Sequence, residues 1–278
     1  MKTILVPTDF SDNARNALNY AVEIAAKTKA KLILFNFFRV PIVADDIPLD
    51  PEILEKMEQE SYDSLNHLKV EILEKMKGLE IECICTSSLN FAVEEICEMA
   101  NDNQVNLIVM GTKGASGVAK AVMGSNTAHV IDDARCPVLA VPEQAKYKDF
   151  KKFVFATDYS DEDFASIHFI KDMADYFDAE IIVTHIADGH ESIHHETSRI
   201  DAFKKQLAKQ TPIDKISFEL IAGENVSERL NQFLTENNAD IISMATKKRR
   251  IYQRLFDPSL TKKMAYHTNV PLLVFHLQ

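Results

Sequence analysis

The sequence predicts an α/β protein of two tandem domains, each a doubly wound, Rossmann-like sheet of five parallel strands. Three observations predict this fold class. The 278 residues are long for one domain but suit two cores of ordinary size. The second half of the chain repeats the first. Within each half, short apolar runs alternate with longer segments that carry apolar residues at helical spacing.

The internal repeat indicates where the domains begin and end. Residues 2–36 align without gaps on residues 151–185, and residues 107–139 align in the same way on residues 241–273. Only the middles of the two repeats differ in length. The predicted division is a domain at 1–142, a polar linker at 143–150 and a second domain at 151–278.

Five short apolar runs rich in β-forming residues predict the strands of the first domain. They are Thr3–Pro7, Lys31–Phe37, Ile81–Thr86, Leu107–Met110 and Val138–Val141. Because these runs alternate with helical segments, we expect a parallel sheet built from βαβ units.

Four helical segments connect these strands. Ser11 or Asp12 is a suitable N-cap for the first helix, since a short polar side chain can accept a hydrogen bond from a first-turn amide. The second helix runs from about Pro51 to Lys77, the third from Phe91 to Asn101, and the fourth from Gly124 or Ser125 to a point before Pro137.

Composition excludes several classes of protein. The 31 Lys and Arg against 42 Asp and Glu give a net charge of −11, which argues against general binding to nucleic acid or to an anionic membrane. No apolar stretch approaches the ~18 residues of a membrane span, and no signal peptide is recognisable, so we expect a cytoplasmic protein. The 4 cysteines include no CxxC pair, which predicts reduced, buried thiols.

Glycine placement directs attention to one segment. The chain has only 7 glycines, and four of them, Gly111, Gly114, Gly117 and Gly124, fall within fourteen residues after the fourth strand. Glycines let a backbone turn sharply and approach a ligand closely. In an open parallel sheet, ligands bind beyond the carboxyl ends of the strands. We therefore expect this segment to share a crevice with residues 7–9, which follow the first strand.

The same segment has the chemistry of an anion site. The start of the fourth helix provides amides without backbone partners and the positive end of a helix dipole. Lys113 and the hydroxyls of Ser125 and Thr127 could add further contacts, so a polyphosphate is the expected ligand. Asp9 is placed to accept hydrogen bonds from a ribose or to help position a metal.

The motif Gly111-x-x-Gly114, nine further residues and then Gly124-Ser125 resembles the ATP-binding universal stress proteins, as does the start Val6-Pro7-Thr8-Asp9. This resemblance covers nearly the whole chain. It implies a flavodoxin-like sheet of strand order 3-2-1-4-5, ATP in the crevice, often with magnesium, and dimerisation through the fifth strand. In a tandem chain, the two fifth strands could pair as an internal pseudo-dimer, and a further homodimer is possible.

The resemblance also assigns residues to parts of the nucleotide. The loop after the first strand borders adenine and ribose, Phe37 takes the place of a Val that contacts the base, and the remaining residues line the ribose and phosphates. The predicted binding residues are Pro7, Thr8, Asp9, Phe37, Met110, Gly111, Thr112, Lys113, Gly114, Gly124, Ser125, Asn126 and Thr127.

The second domain lacks the glycines of this motif. Ala245, Lys248 and Pro258 stand where the first domain has Gly111, Gly114 and Gly124, which predicts that it does not bind ATP in the same way. The segment 157–161 nevertheless preserves the pattern of residues 8–12. That pattern therefore serves either nucleotide binding or, in both domains, turn formation and helix capping.

Two further patterns occur in the second domain. The run 247–250 (Lys-Lys-Arg-Arg) is either a solvated charged face or an anion or partner site. His190-Glu191-Ser192-Ile193-His194 matches the His-Glu-x-x-His pattern of zinc proteases, but no third ligand is fixed by spacing and the first domain has no counterpart. We interpret this match as accidental and predict no metal site.

No catalytic residues stand out, because no carboxylate pair or nucleophile with an adjacent base is apparent. The sequence therefore favours a cytosolic tandem universal stress protein that binds ATP in its first domain and uses occupancy to bias its shape or an unknown protein partner. Two alternatives remain open. One is a slow ATPase or phosphotransfer enzyme with magnesium near Asp9. The other is an interaction module without nucleotide, which would use the 247–250 run or the Pro51–Lys77 helix.

Overall fold

The computed structural model describes most of the chain in two compact units. The described residues are 1–38, 51–78, 81–89, 92–112, 124–187, 192–223, 225–247, 264 and 268–277. The first unit ends at Glu143 and the second begins at Gln144. Within the described residues, each unit has five strands and a core of its own.

The first unit is a doubly wound parallel sheet. Its elements are β1 (Thr3–Pro7), α1 (Asp12–Thr28), β2 (Lys31–Phe37), α2 (Pro51–Lys75), β3 (Cys83–Ser88), α3 (Ala92–Asp102), β4 (Leu107–Gly111), α4 (Ser125–Asp133) and β5 (Val138–Val141). The strands lie in the order β3-β2-β1-β4-β5, and each neighbouring pair is parallel. The predicted fold class and strand order are confirmed.

β1 lies at the centre of the first unit, paired with β2 on one side and β4 on the other. Its residues Ile4, Leu5 and Val6 are fully buried, as expected for a parallel strand covered on both faces. This position brings the loop after β1 next to the end of β4, where the winding of the sheet changes direction. Ligands of open α/β sheets bind at such a point.

The start of α1 confirms Ser11 as its N-cap. Ser11 has an extended backbone, and its Oγ accepts a hydrogen bond of 3.2 Å from the amide of Ala14. The helix buries a wide apolar face and ends at Lys29 in the left-handed conformation, with φ 57°. The cap fixes where the helix leaves the loop after β1, and therefore which α1 residues reach the edge of the sheet.

β3 begins two residues later than predicted and extends into polar sequence. Its register runs from Cys83 opposite Leu32 to Ser88 opposite Phe37, so the length of β2 determines where β3 ends. The polar residues at this end are tolerated because β3 lies at the edge of the unit, where they are only partly buried. Apolar pattern alone could not locate this end.

The second unit repeats the architecture of the first. Its elements are β6 (Lys152–Ala156), α5 (Asp163–Phe177), β7 (Glu180–Ala187), α6 (Ile193–Leu207), β8 (Ile216–Ala222), α7 (Val226–Glu236), β9 (Ile241–Lys247) and β10 (Leu272–Leu277). The order β10-β9-β6-β7-β8 places each strand as its counterpart lies in the first unit. The pairing of the two fifth strands stays a prediction.

Part of the segment predicted as a linker belongs to the core of the second unit. Phe150 is buried, and its ring lies 4.9 Å from that of Phe177 and 5.5 Å from that of Phe153 between centroids. Lys148 forms an ion pair of 2.6 Å with the buried carboxylate of Asp240. The second unit is therefore anchored before β6 begins.

Four free cysteines lie in the first unit. Burial raises the pKa of Cys83 to about 12 and that of Cys136 to about 12, which keeps both as unreactive thiols at neutral pH.

No helix in the described residues combines the length and the apolar composition of a membrane span.

Candidate functional site

A cleft opens in the first unit at the carboxyl ends of β1, β2 and β4. It encloses about 580 Å³ of empty space, a volume that includes open solvent at its mouth. Its lining consists of Pro7, Thr8, Asp9, Ala14, Phe37, Ile96, Met110, Gly111, Gly124, Ser125, Asn126 and Thr127. All of these except Ala14 and Ile96 are among the binding residues predicted from the sequence.

Among the described residues, one predicted binding residue, Thr112, does not line this cleft. Thr112 is buried, and its backbone joins two elements: its amide donates to the carbonyl of Val141 at 3.0 Å, and its carbonyl accepts from the amide of Gly124 at 2.6 Å. Lys113 and Gly114 lie outside the described residues. Their roles therefore remain sequence-based predictions.

Sequence reasoning missed Ala14 and Ile96. Ala14 is in the first turn of α1, directly behind the loop after β1, and its place on the apolar helix face gave no sign of a ligand. Ile96 lies on α3, between the third and fourth strands. Only the folding of α3 over the sheet brings Ile96 to this cleft, so no local pattern could have revealed it.

The loop after β1 forms a tightly hydrogen-bonded turn. The hydroxyl of Thr8 accepts from the amide of Phe10 at 3.1 Å. The Oδ1 atom of Asp9 accepts from both the amide and the hydroxyl of Ser11, at 3.1 and 2.6 Å. Phe10 has a φ of 62°, a left-handed conformation that bulky residues adopt only when their surroundings hold them in it.

The second unit builds the same turn. The hydroxyl of Thr157 accepts from the amide of Tyr159 at 2.8 Å, and Asp158 accepts from the amide of Ser160 at 3.1 Å. Tyr159 has a φ of 63°. Turn formation thus accounts for the shared pattern in both units, while Asp9 of the first unit also lines a cleft.

Gly111 is needed because α1 packs closely against the end of β4. A Cβ atom at this position would lie 2.7 Å from the Cγ atom and 3.0 Å from the backbone oxygen of Asn13. The sequence predicts that this glycine lets the backbone approach a ligand. The structure gives it an intramolecular reason, since the side chain of Asn13 occupies the space that a Cβ would need.

The start of α4 provides the polar part of the lining. Gly124 is the N-cap and supplies no side-chain hydrogen bond, so within the described part of the chain the first-turn amides of α4 are available to water or an anion. Ser125 is exposed, whereas Thr127 is buried and its hydroxyl donates to the carbonyl of Gly111 at 2.8 Å. That hydroxyl joins α4 to β4, and any contact from Thr127 to an anion would come from its backbone amide.

The remaining lining is largely apolar. Pro7, Met110 and Phe37 come from the ends of three strands, and Ile96 and Ala14 come from α3 and α1. Apolar side chains bind a planar ring by burying its faces, while the α4 amides favour negative charge. The cleft is therefore chemically suited to a ligand with both a ring and an anionic group.

The sequence model of the universal stress protein family matches residues 1–142 and again residues 149–276. The chain belongs to the universal stress protein family. Because the model matches twice, this chain is a tandem member with two universal stress protein units.

Single-unit relatives align with about half of this universal stress protein. It is 32% identical over 149 residues to universal stress protein MJ0531 of Methanocaldococcus jannaschii, an alignment that covers 52% of this chain and 84% of the relative. It is 30% identical over 147 residues to universal stress protein YxiE of Bacillus subtilis, covering 50% of this chain and 97% of the relative.

A solved tandem structure supports the fold of the whole chain. The crystal structure of a universal stress protein from Archaeoglobus fulgidus superposes with a TM-score of 0.78 at 18% identity, and the match covers 99% of this chain and 98% of that one. This likeness shows that the chain has the same fold as that protein.

The second universal stress protein unit has a buried carboxyl where the first has a small apolar residue. Asp163 aligns with Ala14 and is fully buried; its Oδ2 accepts from the hydroxyl of Thr157 at 2.6 Å and from the amide of Ser160 at 3.3 Å. Burial raises the pKa of Asp163 to about 7. The hydrogen bond from Thr157 lowers this pKa, and the charge of Asp158 raises it further.

Lys248 and Pro258, which stand where the first unit has Gly114 and Gly124, lie outside the described residues.

The His-Glu-x-x-His match gains no support as a metal site within the described part of this protein. No group of three or more His, Cys, Asp or Glu side chains there could hold a metal ion. His194 and His195 are exposed in the first turn of α6, and His190 lies outside the described residues. The run 247–250 likewise has no described side chains.

Proposed function

We propose that this universal stress protein binds ATP in the cleft of its first unit and acts in a cytoplasmic stress response. Occupancy of the cleft would bias its shape or its binding to a protein partner. The second unit would hold no nucleotide and would serve as a scaffold or partner surface.

The observation that carries this proposal is the start of α4 within an otherwise apolar cleft. The first-turn amides of α4 have no side-chain cap, and they lie beside the turn that carries Asp9. An adenine ring matches the apolar lining from Phe37 and Ile96, while phosphates match the amides and the positive end of the helix. Asp9 is the carboxylate of the lining, suited to a ribose hydroxyl or to a magnesium ion carried by the phosphates.

Two features of the second unit support binding in the first unit alone. Its counterpart of Ala14 is the fully buried Asp163, which would place a carboxyl group near phosphates. Its counterpart of Gly111 is Ala245, a fully buried residue of β9. The carboxyl of Asp163 disfavours a polyanion beside it, and the Cβ of Ala245 leaves the backbone less room for close approach to a ligand.

Titration calorimetry of the full chain with Mg-ATP tests the proposal. We expect one ATP per chain. Ser125→Glu should weaken binding at least tenfold, because the new carboxylate lies at the phosphate end of the cleft. The fold should be retained, since an acidic residue in the first turn of a helix is stabilising.

Ser227→Glu is the matched control. It adds the same charge to the first turn of α7 in the second unit, so it should leave the affinity for ATP unchanged. Two equal sites per chain, or equal affinity of wild type and Ser125→Glu, would contradict the proposed site.

A further inference from the structure

A buried amide connects the ligand-facing turn of the first unit to α2. Asn36 lies in β2 next to Phe37 and is 5% exposed. Its Nδ2 donates to the backbone carbonyl of Thr8 at 2.6 Å. Its Oδ1 accepts from the hydroxyl of Ser61, a buried residue of α2, at 2.7 Å.

This bridge constrains the cleft directly. The carbonyl of Thr8 belongs to the peptide group that joins Thr8 to Asp9, and both residues line the cleft. Holding that carbonyl limits rotation of the peptide and hence the direction of the Asp9 carboxylate. Since Thr8 and Ser61 are also buried, removing one member leaves a buried polar group without its partner.

The second unit repeats the half of this connection that reaches the turn, with a different side chain. His185 aligns with Asn36, and Thr157 aligns with Thr8. The Nδ1 atom of His185 lies 2.7 Å from the carbonyl oxygen of Thr157, and its Nε2 lies 3.6 Å from the carboxylate of Glu196 on α6. Two different side chains thus meet one geometric requirement, a donor from the second strand to the turn after the first.

We propose that Asn36 is a positioning residue for nucleotide binding, and that the chain Ser61–Asn36–Thr8 couples α2 to occupancy of the cleft. The inference rests on the proposed function of the first unit. A ligand that tightens the turn at Asp9 stabilises the bonds on both sides of Asn36. By reciprocity, loosening the contact with α2 lowers the affinity for the ligand.

Substitutions along this chain test the coupling in the full protein. Asn36→Ala should raise the Kd for Mg-ATP about tenfold, and Ser61→Ala should raise it about threefold. The double variant should bind no more weakly than Asn36→Ala, because both changes break one connection. Ser64→Ala is the matched control, because that exposed hydroxyl lies on the same helix and donates to the carbonyl of Glu60. It should leave the Kd unchanged.

A rescue variant distinguishes positioning from general destabilisation. Asn36→His places at this position the side chain that makes the equivalent bond in the second unit, so it should recover most of the affinity lost in Asn36→Ala. The melting temperature of each variant is measured alongside its Kd. An effect on melting temperature alone, with Kd unchanged well below the melting transition, would overturn the inference.

Amide exchange of α2 gives a readout that a purely structural role would not move. ATP should slow exchange around Ser61 in the wild type and in Ser64→Ala, and this slowing should be absent in Ser61→Ala. If the wild type binds one ATP without slowing α2, the coupling is wrong while the proposed function stands. If the wild type binds no ATP, the proposed function fails, and the inference fails with it.

Discussion

At the scale of single residues, the end of β4 shows how a glycine can have two separate reasons to be present. Gly111 lines the cleft, yet it also leaves room for Asn13 at the start of α1. Because the second reason is independent of any ligand, the Ala245 counterpart is weaker evidence against nucleotide binding than the sequence suggests. The buried Asp163 is a more direct obstacle.

Gly111→Ala should destabilise the first unit by about 1–3 kcal/mol, the usual cost of overpacking. The new methyl group would contact Asn13, whose backbone oxygen cannot move without shifting α1. Thermal unfolding with and without Asn13→Ala checks this reason. The second change removes the side-chain part of the clash, so Gly111→Ala should cost less in that background. Equal cost in both backgrounds would contradict the explanation.

Asp163 should make the stability of the protein fall as pH rises. Its folded pKa is raised to about 7 from an ordinary value of 3.8, so the folded state holds the proton more tightly than the unfolded state. This contribution is fully present below the unfolded pKa and is lost as pH rises from about 4 to 7, by at most about 4 kcal/mol.

Asp163→Asn tests this sign, because the amide keeps the shape of the side chain but does not titrate. Relative to wild type, the variant should become steadily more stable between pH 4 and 7 in urea unfolding. A stability difference that does not change with pH would show that Asp163 has an ordinary pKa.

At the scale of elements, the two units begin their first helices differently, although the turns before these helices have nearly the same sequence. In the first unit Ser11 caps α1 through its hydroxyl. In the second unit α5 begins at Asp163, two positions later by the alignment, and its N-cap Glu162 provides no side-chain cap. Asp163, which stands at the position of Ala14, accepts a hydrogen bond from the amide of Ser160 instead.

Ser11→Ala should lower the free energy of unfolding by about 1 kcal/mol, because it removes the side-chain cap of α1. Exchange of the first-turn amides of α1 should become about fivefold faster. The matched change Ser160→Ala should alter the free energy of unfolding by no more than about 0.5 kcal/mol, since the buried hydroxyl of Ser160 has no hydrogen-bond partner among the described residues. Equal effects of the two substitutions would contradict the difference between the caps.

At the scale of the whole molecule, one chain holds two units of the same fold but different site chemistry. The strands of the two units follow the same winding, whereas the described cleft with the α4 amides lies in the first unit. Duplication thus preserves the scaffold, since strand burial and turn geometry are common to both halves. The two units differ instead in the residues at the carboxyl ends of their strands, where the cleft of the first unit lies.

ATP should therefore protect only one half of the chain. At a free ATP concentration of 100 times Kd, ATP stabilises the folded first unit by about 2.7 kcal/mol relative to its unfolded state. Amide exchange should slow in β1, β4 and α4 and remain unchanged in β6 and β9. Comparable slowing in both units would contradict the proposed difference between them.

The repeat and the glycine-rich segment could be recognised from the sequence because they depend on local patterns: apolar runs, helical spacing, and the residues that follow strand ends. The strand order and most of the individual cleft residues were expected from the family resemblance. The ends of β3 and the burial of Phe150 in the predicted linker were beyond such patterns, because pairing with β2 and packing against Phe177 decide them.

Only the tertiary structure brought Ile96 to the cleft, placed Asn13 against Gly111, and joined Asn36 to Thr8 and Ser61. Each of these contacts links residues on different elements. Their distances follow from how helices pack on the sheet, and sequence periodicity carries information about neighbours on one element alone. The strands and the site's location were therefore readable in advance, while the contacts that shape the site were decided by packing.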